Sequence, residues 1–125
     1  MNYNIEVIQT PRYCYINAIS NDTNERIGKV CIDLDSEDSN RYKCQKKPAK
    51  IILVWTSFTY LGKGIATALL NKTIEILNDY SLYLNVVPVR RNDQDKDKNE
   101  LIRFYSKFGF KRYKEDICTV TMIRY

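Results

Sequence analysis

The first third of the chain carries short runs of β-branched and aromatic residues and no helical periodicity. Strands are predicted over Tyr3–Ile8, Tyr13–Ile19 and Arg26–Leu34, and apolar and polar side chains alternate along the third. Only residues 10–12 separate the first two strands, and asparagine and aspartate residues at 21–24 indicate a turn before the third. The pattern predicts a meander of three strands.

The middle of the chain, residues 50–77, has the order strand, glycine turn, helix. The continuous apolar run Ile51–Trp55 predicts a strand that is buried on both faces. Gly62 and Gly64 follow, and apolar residues then recur at helical spacing from Ile65 to Leu77. The first turn of a helix has unpaired backbone N–H groups, and glycines let an anion approach them without a Cβ in the way. The pattern therefore predicts a phosphate site between this strand and this helix.

The second half of the chain continues with a strand, a charged segment and a β-rich tail. Leu82–Val87 is predicted to be a strand joined to the preceding one by a right-handed parallel crossover. Val89–Asn99 has no apolar anchor after its first residue and indicates an inserted loop, for which a solvated flap is favoured over substrate recognition. The tail Ile117–Tyr125 is predicted to end in an exposed strand that could pair with a second copy of the chain.

An apolar stripe predicts a second helix before that tail. The stripe consists of Leu101, Phe104, Tyr105 and Phe108. Asn99 is the predicted N-cap, and Gly109 stands where a left-handed residue ends a helix. The following Phe110 is therefore expected to fold back on the last turn.

Composition is typical of an ordinary globular protein. The chain has 125 residues, of which 44% are hydrophobic and 28% charged, so a single domain over residues 1–125 is expected. No apolar run is long enough to span a membrane and the start does not resemble a signal peptide, so a cytoplasmic location without a membrane partner is expected. The chain has no histidine, and its cysteines lack CxxC spacing, so neither a zinc site nor a cysteine nucleophile is indicated. These cysteines, expected to be reduced, are Cys14, Cys31, Cys44 and Cys118.

The net charge of +5 is unevenly distributed. Five basic residues without an intervening acid lie between Arg41 and Lys50, after an acidic block at residues 33–38. Such a run is most often a solvated loop, and the alternatives are contact with nucleic acid, with an acidic protein surface or with a phosphate group of a bound ligand.

Two common phosphate motifs do not fit the glycine turn. A dinucleotide fingerprint requires a third glycine where the chain has Thr67, and a P-loop requires serine or threonine after the lysine, where the chain has Gly64. The segment TYLGKGIATALL instead resembles the pyrophosphate-binding turn of the GNAT family of N-acetyltransferases. That pattern is arginine or glutamine, two residues, glycine, one residue, then glycine or alanine. Leu61 departs from it, because a leucine cannot donate a hydrogen bond to the pyrophosphate.

The segment NELIRFYSKFGFKRY resembles the second motif of the same family, a helix that carries a tyrosine and ends in Gly-Phe. Tyr105, Gly109 and Phe110 match its spacing. The resemblance covers the C-terminal two thirds and implies an α/β fold with a mixed, mostly antiparallel central sheet of about six to seven strands and two main helices. The family usually has one or two helices between its first two strands, so this chain is expected to be a trimmed member with an open acceptor cleft. The charged loop followed by ELIRFY is also similar to small acetyltransferases of phages and mobile elements.

The resemblance implies an enzyme that uses acetyl-coenzyme A as co-substrate and acetylates a primary amine, and the expected acceptor is a lysine or the N-terminus of a protein. Tyr105 is expected to act as the general acid on the departing thiolate. Backbone groups near Val54 and Thr56 would hold the pantetheine, and an amide near Thr56 would stabilise the oxyanion. The pyrophosphate would lie on the turn formed by Leu61, Gly62, Lys63, Gly64, Ile65 and Ala66.

The general base stays unassigned, with a water relay to solvent, to Asp33 or to Glu100 as the options. The alternative function is a non-catalytic binding module of the same fold, because Leu61 removes a contact to coenzyme A. Such a module would bind nucleic acid or an acidic protein through residues 41–50 with Arg90 and Arg91. The sequence leaves open whether the protein is a monomer or a homodimer.

Overall fold

The computed structural model describes residues 2–37, 46–86, 98–115 and 119–125. These residues form one seven-stranded mixed sheet with the strand order β1-β2-β3-β4-β5-β7-β6, and two α-helices. All neighbouring strands are antiparallel except β4 and β5. The predicted fold class is confirmed. The elements in chain order are β1 (Tyr3–Gln9), β2 (Tyr13–Ser20), β3 (Arg26–Asp33), β4 (Lys47–Thr56), α1 (Ile65–Ile76), β5 (Tyr80–Val86), α2 (Lys98–Ser106), β6 (Lys111–Glu115) and β7 (Val120–Arg124).

The predicted meander is present, and β1, β2 and β3 start and end within one residue of the predicted bounds. Residues 10–12 alone connect β1 to β2, in a turn where the Thr10 N–H donates to the Tyr13 carbonyl at 2.8 Å. The connection therefore contains no helix, as the sequence predicted.

Gly28 in β3 allows α1 to pack closely on the sheet. A Cβ at this position would lie 2.8 Å from Cγ2 of Ile65 and 3.0 Å from Cδ1 of Leu69. Both side chains are buried in α1, so the helix lies almost directly on the β3 backbone. The main core is the layer between α1 and this face of the sheet.

The prediction that the strand over residues 51–55 is buried on both faces is wrong. Ile51 is buried, but Ile52, Leu53 and Trp55 are 48%, 44% and 42% exposed. Two features of β4 explain this. Its parallel pairing with β5 ends at Lys50, and its register with β3 shifts at Ile52, which is an extra residue in a β-bulge.

The parallel crossover from β4 through α1 to β5 is confirmed, and the predicted helix ends one residue early. In α2 the predicted N-cap, Asn99, lies inside the helix, which begins at Lys98. The stripe of Leu101, Phe104, Tyr105 and Phe108 is only partly buried, whereas Ile102 is buried and was not predicted to be in the core. Ile102 and the stripe pack on the same core as α1.

The last strand is not an edge strand. β7 lies between β5 and β6, so the predicted exposed tail is wrong, and the edge of the sheet is β6, which the sequence did not predict. Several predictions fall on residues outside the described ranges. These residues are most of the charged loop Val89–Asn99, the start of the tail at Ile117, the cysteines Cys44 and Cys118, and the basic residues Arg41, Lys43, Arg90 and Arg91. Within the described ranges, no helix is long and apolar enough to cross a membrane.

Candidate active site

A cleft opens where β4 and β5 separate. The two strands pair only between Lys47–Lys50 and Tyr80–Tyr83, although β4 continues to Thr56 and β5 to Val86. Beyond this fork, and among the described residues, β4 pairs only with β3, on the side away from β5, and β5 pairs only with β7. The facing strand edges therefore present backbone N–H and C=O groups to the cleft, where an extended ligand can pair with them as an added strand.

Val54 and Thr56 lie on the free part of β4, past the fork. They pair with Val30 and Gly28 of β3, which fixes their position in the sheet. Ile52, the bulge residue, comes just before them and turns the strand locally. The structure thus brings both residues to the cleft wall to which the sequence assigned them.

The turn after β4 is shaped by two glycines with left-handed backbone angles. Gly62 has φ +77° and Gly64 has φ +78°, a conformation that is strained for other residues. A Cβ at either position would meet no atom within 4 Å, so the glycines serve the backbone conformation and not a tight contact inside the protein. Between β4 and these glycines, Phe58–Tyr60 form one turn of 3-10 helix, and the Leu61 N–H donates to the Phe58 carbonyl at 3.3 Å.

The N-terminus of α1 is left uncapped. Gly64 is the N-cap and makes no side-chain cap hydrogen bond, and no acidic residue lies in the first turn. The first hydrogen bond inside the helix is from the Ala68 N–H to the Gly64 carbonyl, at 3.0 Å. The preceding N–H groups, of Ile65, Ala66 and Thr67, have no partner within the helix and lie at the positive end of the helix dipole, an arrangement that favours an anion.

Lys63 and Leu61 complete this turn. Lys63 adds a positive charge between the two glycines, which favours an anion at the same place. Leu61 is 41% exposed and contributes no hydrogen-bond donor from its side chain. An anion at this turn would therefore be bound by backbone amides, with one lysine nearby.

Tyr105 lies on α2, which contacts β5, the other wall of the cleft. Its backbone is fixed by the end of the helix: the Phe110 N–H donates to the Tyr105 carbonyl at 3.4 Å, and the Gly109 N–H to the Ser106 carbonyl at 3.1 Å. With Gly109 at φ +90°, this is a Schellman motif. The Tyr105 ring packs edge-on against Phe104 and Phe110, with ring centroids 5.3 and 6.0 Å apart.

Burial raises the pKa of Tyr105 to about 12. The phenol is therefore protonated at neutral pH and is a hydrogen-bond donor. This protonation state is the one that a general acid requires before the reaction.

Asp33, one option for the general base, is bound in an ion pair. The Arg12 guanidinium donates to both carboxylate oxygens, from Nε at 3.3 Å and from Nη2 at 3.2 Å, and the Asp35 N–H donates to Oδ1 at 3.0 Å. This ion pair raises the pKa of Arg12, mainly through the hydrogen bonds to Asp33. A carboxylate that accepts three donors is a poor proton acceptor, so the ion pair disfavours Asp33 as the base.

The two cysteines within the described ranges are buried thiols. Burial raises the pKa of Cys14 and of Cys31. A thiol with a raised pKa is mostly protonated at neutral pH and is a weak nucleophile, as the sequence indicated.

Sequence reasoning missed one polar residue on the sheet. Asn17 in β2 is only 4% exposed, and its Oδ1 is a buried atom without a hydrogen-bond partner. The signal was a lone asparagine in the apolar run YCYINAI, which was interpreted only as a strand.

Comparisons with known proteins agree with this geometry. A family model described as the acetyltransferase (GNAT) family matches residues 2–110. No curated protein sequence matches the chain. Among solved structures, PH1933 from Pyrococcus horikoshii has a TM-score of 0.67 and 23% identity over 88% of this chain, which spans 63% of that one.

Two further structures are similar to the chain and were solved with bound molecules. The PaiA N-acetyltransferase of Thermoplasma acidophilum, in complex with coenzyme A, has a TM-score of 0.61 and 19% identity over 90% of this chain and 60% of its own. Arabidopsis thaliana NAA60, in complex with acetyl-CoA, has a TM-score of 0.66 and 18% identity over 91% of this chain and 76% of its own. At these identities the likeness supports the fold. The likeness to phage proteins stays a prediction, since these three come from cellular organisms.

Proposed function

The chain belongs to the acetyltransferase (GNAT) family, and from this premise we propose that it transfers the acetyl group of acetyl-coenzyme A to a primary amine. The observation that carries the proposal is the fork between β4 and β5, which leads directly to the uncapped N-terminus of α1. One continuous surface thus offers an unpaired strand edge and an anion site. We also propose that residues 1–125 form a single domain.

Acetyl-coenzyme A matches this surface in chemistry. Its pantetheine arm is extended and has two amide groups that can pair with the edge of β4 near Val54 and Thr56. Its pyrophosphate suits the N–H groups of Ile65, Ala66 and Thr67 beyond the two glycines. Support also comes from the two similar structures with bound coenzyme A and acetyl-CoA.

The proposed reaction is a direct attack. The neutral amine nitrogen forms a bond to the thioester carbonyl carbon, the carbon–sulfur bond breaks, and the electron pair leaves with sulfur. The nitrogen loses one proton and the sulfur gains one, so the products are an amide and a thiol and the number of protons is unchanged. Tyr105 donates the proton to sulfur, and a strand amide near Thr56 donates a hydrogen bond to the carbonyl oxygen while it carries negative charge.

A pKa of about 12 makes Tyr105 a weak acid toward a thiolate, because thiols have pKa values near 8.5. In this proposal the phenol therefore acts mainly by donating a hydrogen bond to the sulfur as negative charge develops on it, and solvent water returns a proton to Tyr105 as the thiol forms. Asp33 is held by Arg12, so the amine proton is proposed to leave to solvent water. The other carboxylate option, Glu100, is exposed in the first turn of α2 and remains a candidate for relaying that proton.

The acceptor is proposed to be the lysine or N-terminal amine of a protein. The connection between β1 and β2 contains no helix that could enclose a small amine, and the exposed Leu53 and Trp55 leave the β4 side of the cleft accessible. An accessible cleft admits an amine that is attached to a large molecule.

A non-catalytic binding module is the second candidate, and Leu61 is the observation that favours it. Calorimetric titration with acetyl-coenzyme A, and separately with coenzyme A, distinguishes the two. Micromolar binding with release of free thiol in the presence of an amine supports the enzyme. Absence of binding at millimolar ligand would overturn the proposal and favour the module for nucleic acid or an acidic protein.

A further inference from the structure

Large apolar side chains lie exposed on the free part of β4. Ile52, Leu53 and Trp55 are all nearly half exposed. They follow the fork at Lys50, where the pairing of β4 with β5 ends. Several large apolar side chains exposed so close together in one strand indicate a surface that a ligand covers.

Leu53 and Trp55 lie on the accessible side of this strand. They pair in register with Cys31 and Lys29 of β3, on the face of the sheet opposite α1. The intervening Val54 points the other way and packs against the core under α1. We call the surface formed by Leu53 and Trp55, at the β4 edge of the cleft, the apolar wall.

The apolar wall alternates with the residues that are proposed to hold the co-substrate. Val54 and Thr56 are the proposed backbone contacts of the pantetheine, and Leu53 and Trp55 precede them one by one in the same strand. The proposed pyrophosphate site lies beyond Thr56, at the N-terminus of α1. The pantetheine therefore runs from there along β4 toward the fork. An acyl group bonded to its sulfur is at the end far from the pyrophosphate, where it reaches the apolar wall directly.

The charge around the apolar wall favours an uncharged ligand group. Lysines are the only charged residues from 46 to 66, and Lys29 lies opposite Trp55 in β3. An amine that still carries its proton is repelled by these lysines. A hydrocarbon chain gains from covering Leu53 and Trp55, because apolar surface on both sides leaves water. The wall therefore fits the acyl chain of the donor better than the amine of the acceptor.

The length of the apolar wall indicates the length of the chain. Leu53 and Trp55 are two positions apart on one face of the strand, which corresponds to about 7 Å at the rise of an extended strand. An acetyl group is too short to cover this distance. An extended acyl chain of about six carbons matches it.

We propose that the donor site accepts, besides acetyl-coenzyme A, acyl-coenzyme A with a chain of medium length, and that Leu53 and Trp55 bind this chain. The proposal rests on the proposed acetyl transfer for the position of the thioester. The reaction keeps the same balance: the amine nitrogen bonds to the acyl carbonyl carbon, the carbon–sulfur bond breaks, the nitrogen loses one proton and the sulfur gains one. The products are a longer amide and coenzyme A. Leu53 and Trp55 are specificity residues, since they contact the chain and not the carbonyl.

Trp55 itself provides the readout of the test. It is the single tryptophan of the chain, so indole fluorescence reports on the apolar wall alone. The probes are coenzyme A, acetyl-coenzyme A and hexanoyl-coenzyme A, with excitation that selects indole over tyrosine. Hexanoyl-coenzyme A should move the emission to shorter wavelength, because its chain displaces water from an exposed ring, and the other two probes should move it much less.

The affinities are measured by calorimetry with the same probes. Hexanoyl-coenzyme A should bind about tenfold more tightly than acetyl-coenzyme A, because each of about four added methylene groups, covered on one side, contributes about twofold. In Leu53→Ala this gain should fall about threefold, while the affinity for coenzyme A itself stays unchanged. Ile8→Ala is the matched control and should keep the full gain, because Ile8 is an equally exposed apolar residue in β1, at the far edge of the sheet.

The outcomes separate this proposal from the proposed function. Equal affinities for acetyl- and hexanoyl-coenzyme A, an emission of Trp55 that hexanoyl-coenzyme A leaves unchanged, or a full gain in Leu53→Ala would overturn the acyl-chain proposal alone, since coenzyme A still binds. Absence of binding by all three probes at millimolar concentration would overturn the proposed function, and the acyl-chain proposal with it.

Discussion

Phe110 closes the helix that carries Tyr105: its N–H donates to the Tyr105 carbonyl at 3.4 Å, and the two rings meet edge-on with centroids 6.0 Å apart. Tyr105 is the C3 residue and Phe110 the C″ residue of the Schellman motif, and an apolar contact between these two positions is common. The same residues that end α2 therefore fix the side chain proposed as the general acid. Changes to the helix end should act on catalysis as well as on stability.

Gly109→Ala tests this connection. Gly109 has φ +90°, and a Cβ there would lie 3.4 Å from Nε of Arg124. The left-handed backbone costs an alanine about 1–2 kcal/mol, so the free energy of unfolding in urea should fall by about that amount. The rate of acetyl transfer should also fall, because a distorted end of α2 would move Tyr105. Gly109→Asn is the control and should lose less, because asparagine tolerates this conformation; equal stability of the alanine variant and the wild type would contradict the role given to Gly109.

Tyr105→Phe tests the proposed general acid. The ring and its contacts with Phe104 and Phe110 remain, so the fold and the affinity for acetyl-coenzyme A should be unchanged. Loss of a general acid lowers kcat by about 10²-fold or more. Tyr80→Phe in β5 is a suitable control, since Tyr80 lies at the paired end of the fork. Turnover by Tyr105→Phe at the wild-type rate would remove Tyr105 from the mechanism.

The raised pKa of Tyr105 predicts a loss of stability at high pH. The unfolded chain releases the tyrosine proton near pH 10, whereas the native chain keeps it up to about pH 12. The native state thus binds more protons between these values, so its stability is complete below pH 10 and falls as the pH rises toward 12. In the wild type, absorbance at 295 nm should show one tyrosine that ionises well above pH 10. This late component should be missing in Tyr105→Phe. If the wild type and the variant lose stability in parallel from pH 10 to 12, the result would contradict a raised pKa of Tyr105 in the native state.

Local chemistry explains why much of the fold was predictable from the sequence. The β-rich runs set β1 to β3 to within one residue, and Gly109 has the left-handed angle that was predicted for the end of α2. Each of these features depends on a few neighbouring residues. Features set by a few neighbouring residues are therefore mostly predicted correctly, and the N-cap of α2 is an exception, because Asn99 lies inside the helix.

The errors have a different origin, since they depend on distant pairing. Ile52 and Leu53 look like core residues, but their exposure results from the end of the β4–β5 pairing and from the bulge opposite Cys31 and Ile32. The charged strand β6 has no apolar pattern of its own and exists because β7 pairs with it. Asn17 Oδ1 is buried without a hydrogen-bond partner, and Lys29, which lies opposite it in register, is placed over the Tyr15 ring. No local pattern contains this information.

Gly28→Ala tests the packing of α1 on the sheet. The new methyl group would lie 2.8 Å from Cγ2 of Ile65, and both Ile65 and Leu69 are too buried to move freely. Overpacking of this kind costs about 1–3 kcal/mol in urea unfolding. Affinity for acetyl-coenzyme A should fall too, because Ile65 begins the helix whose N–H groups form the anion site. Lys29→Ala, the next residue on the opposite face, should change stability little; a stable Gly28→Ala variant with intact affinity would show that α1 can shift without affecting the turn.

Leu61→Arg tests whether the missing side-chain donor limits binding of the co-substrate. Leu61 is exposed and lies at the start of the glycine turn, so an arginine can be accommodated without disturbing the core. A guanidinium adds a charge-assisted hydrogen bond to the pyrophosphate, worth about 1.5–3 kcal/mol, so the dissociation constant for acetyl-coenzyme A should fall by about tenfold or more in calorimetry. The gain should shrink in high salt, because part of it is electrostatic. Leu61→Met, which adds no donor, should bind as the wild type does. An arginine variant that binds no more tightly would place the pyrophosphate away from this turn and contradict the proposed site.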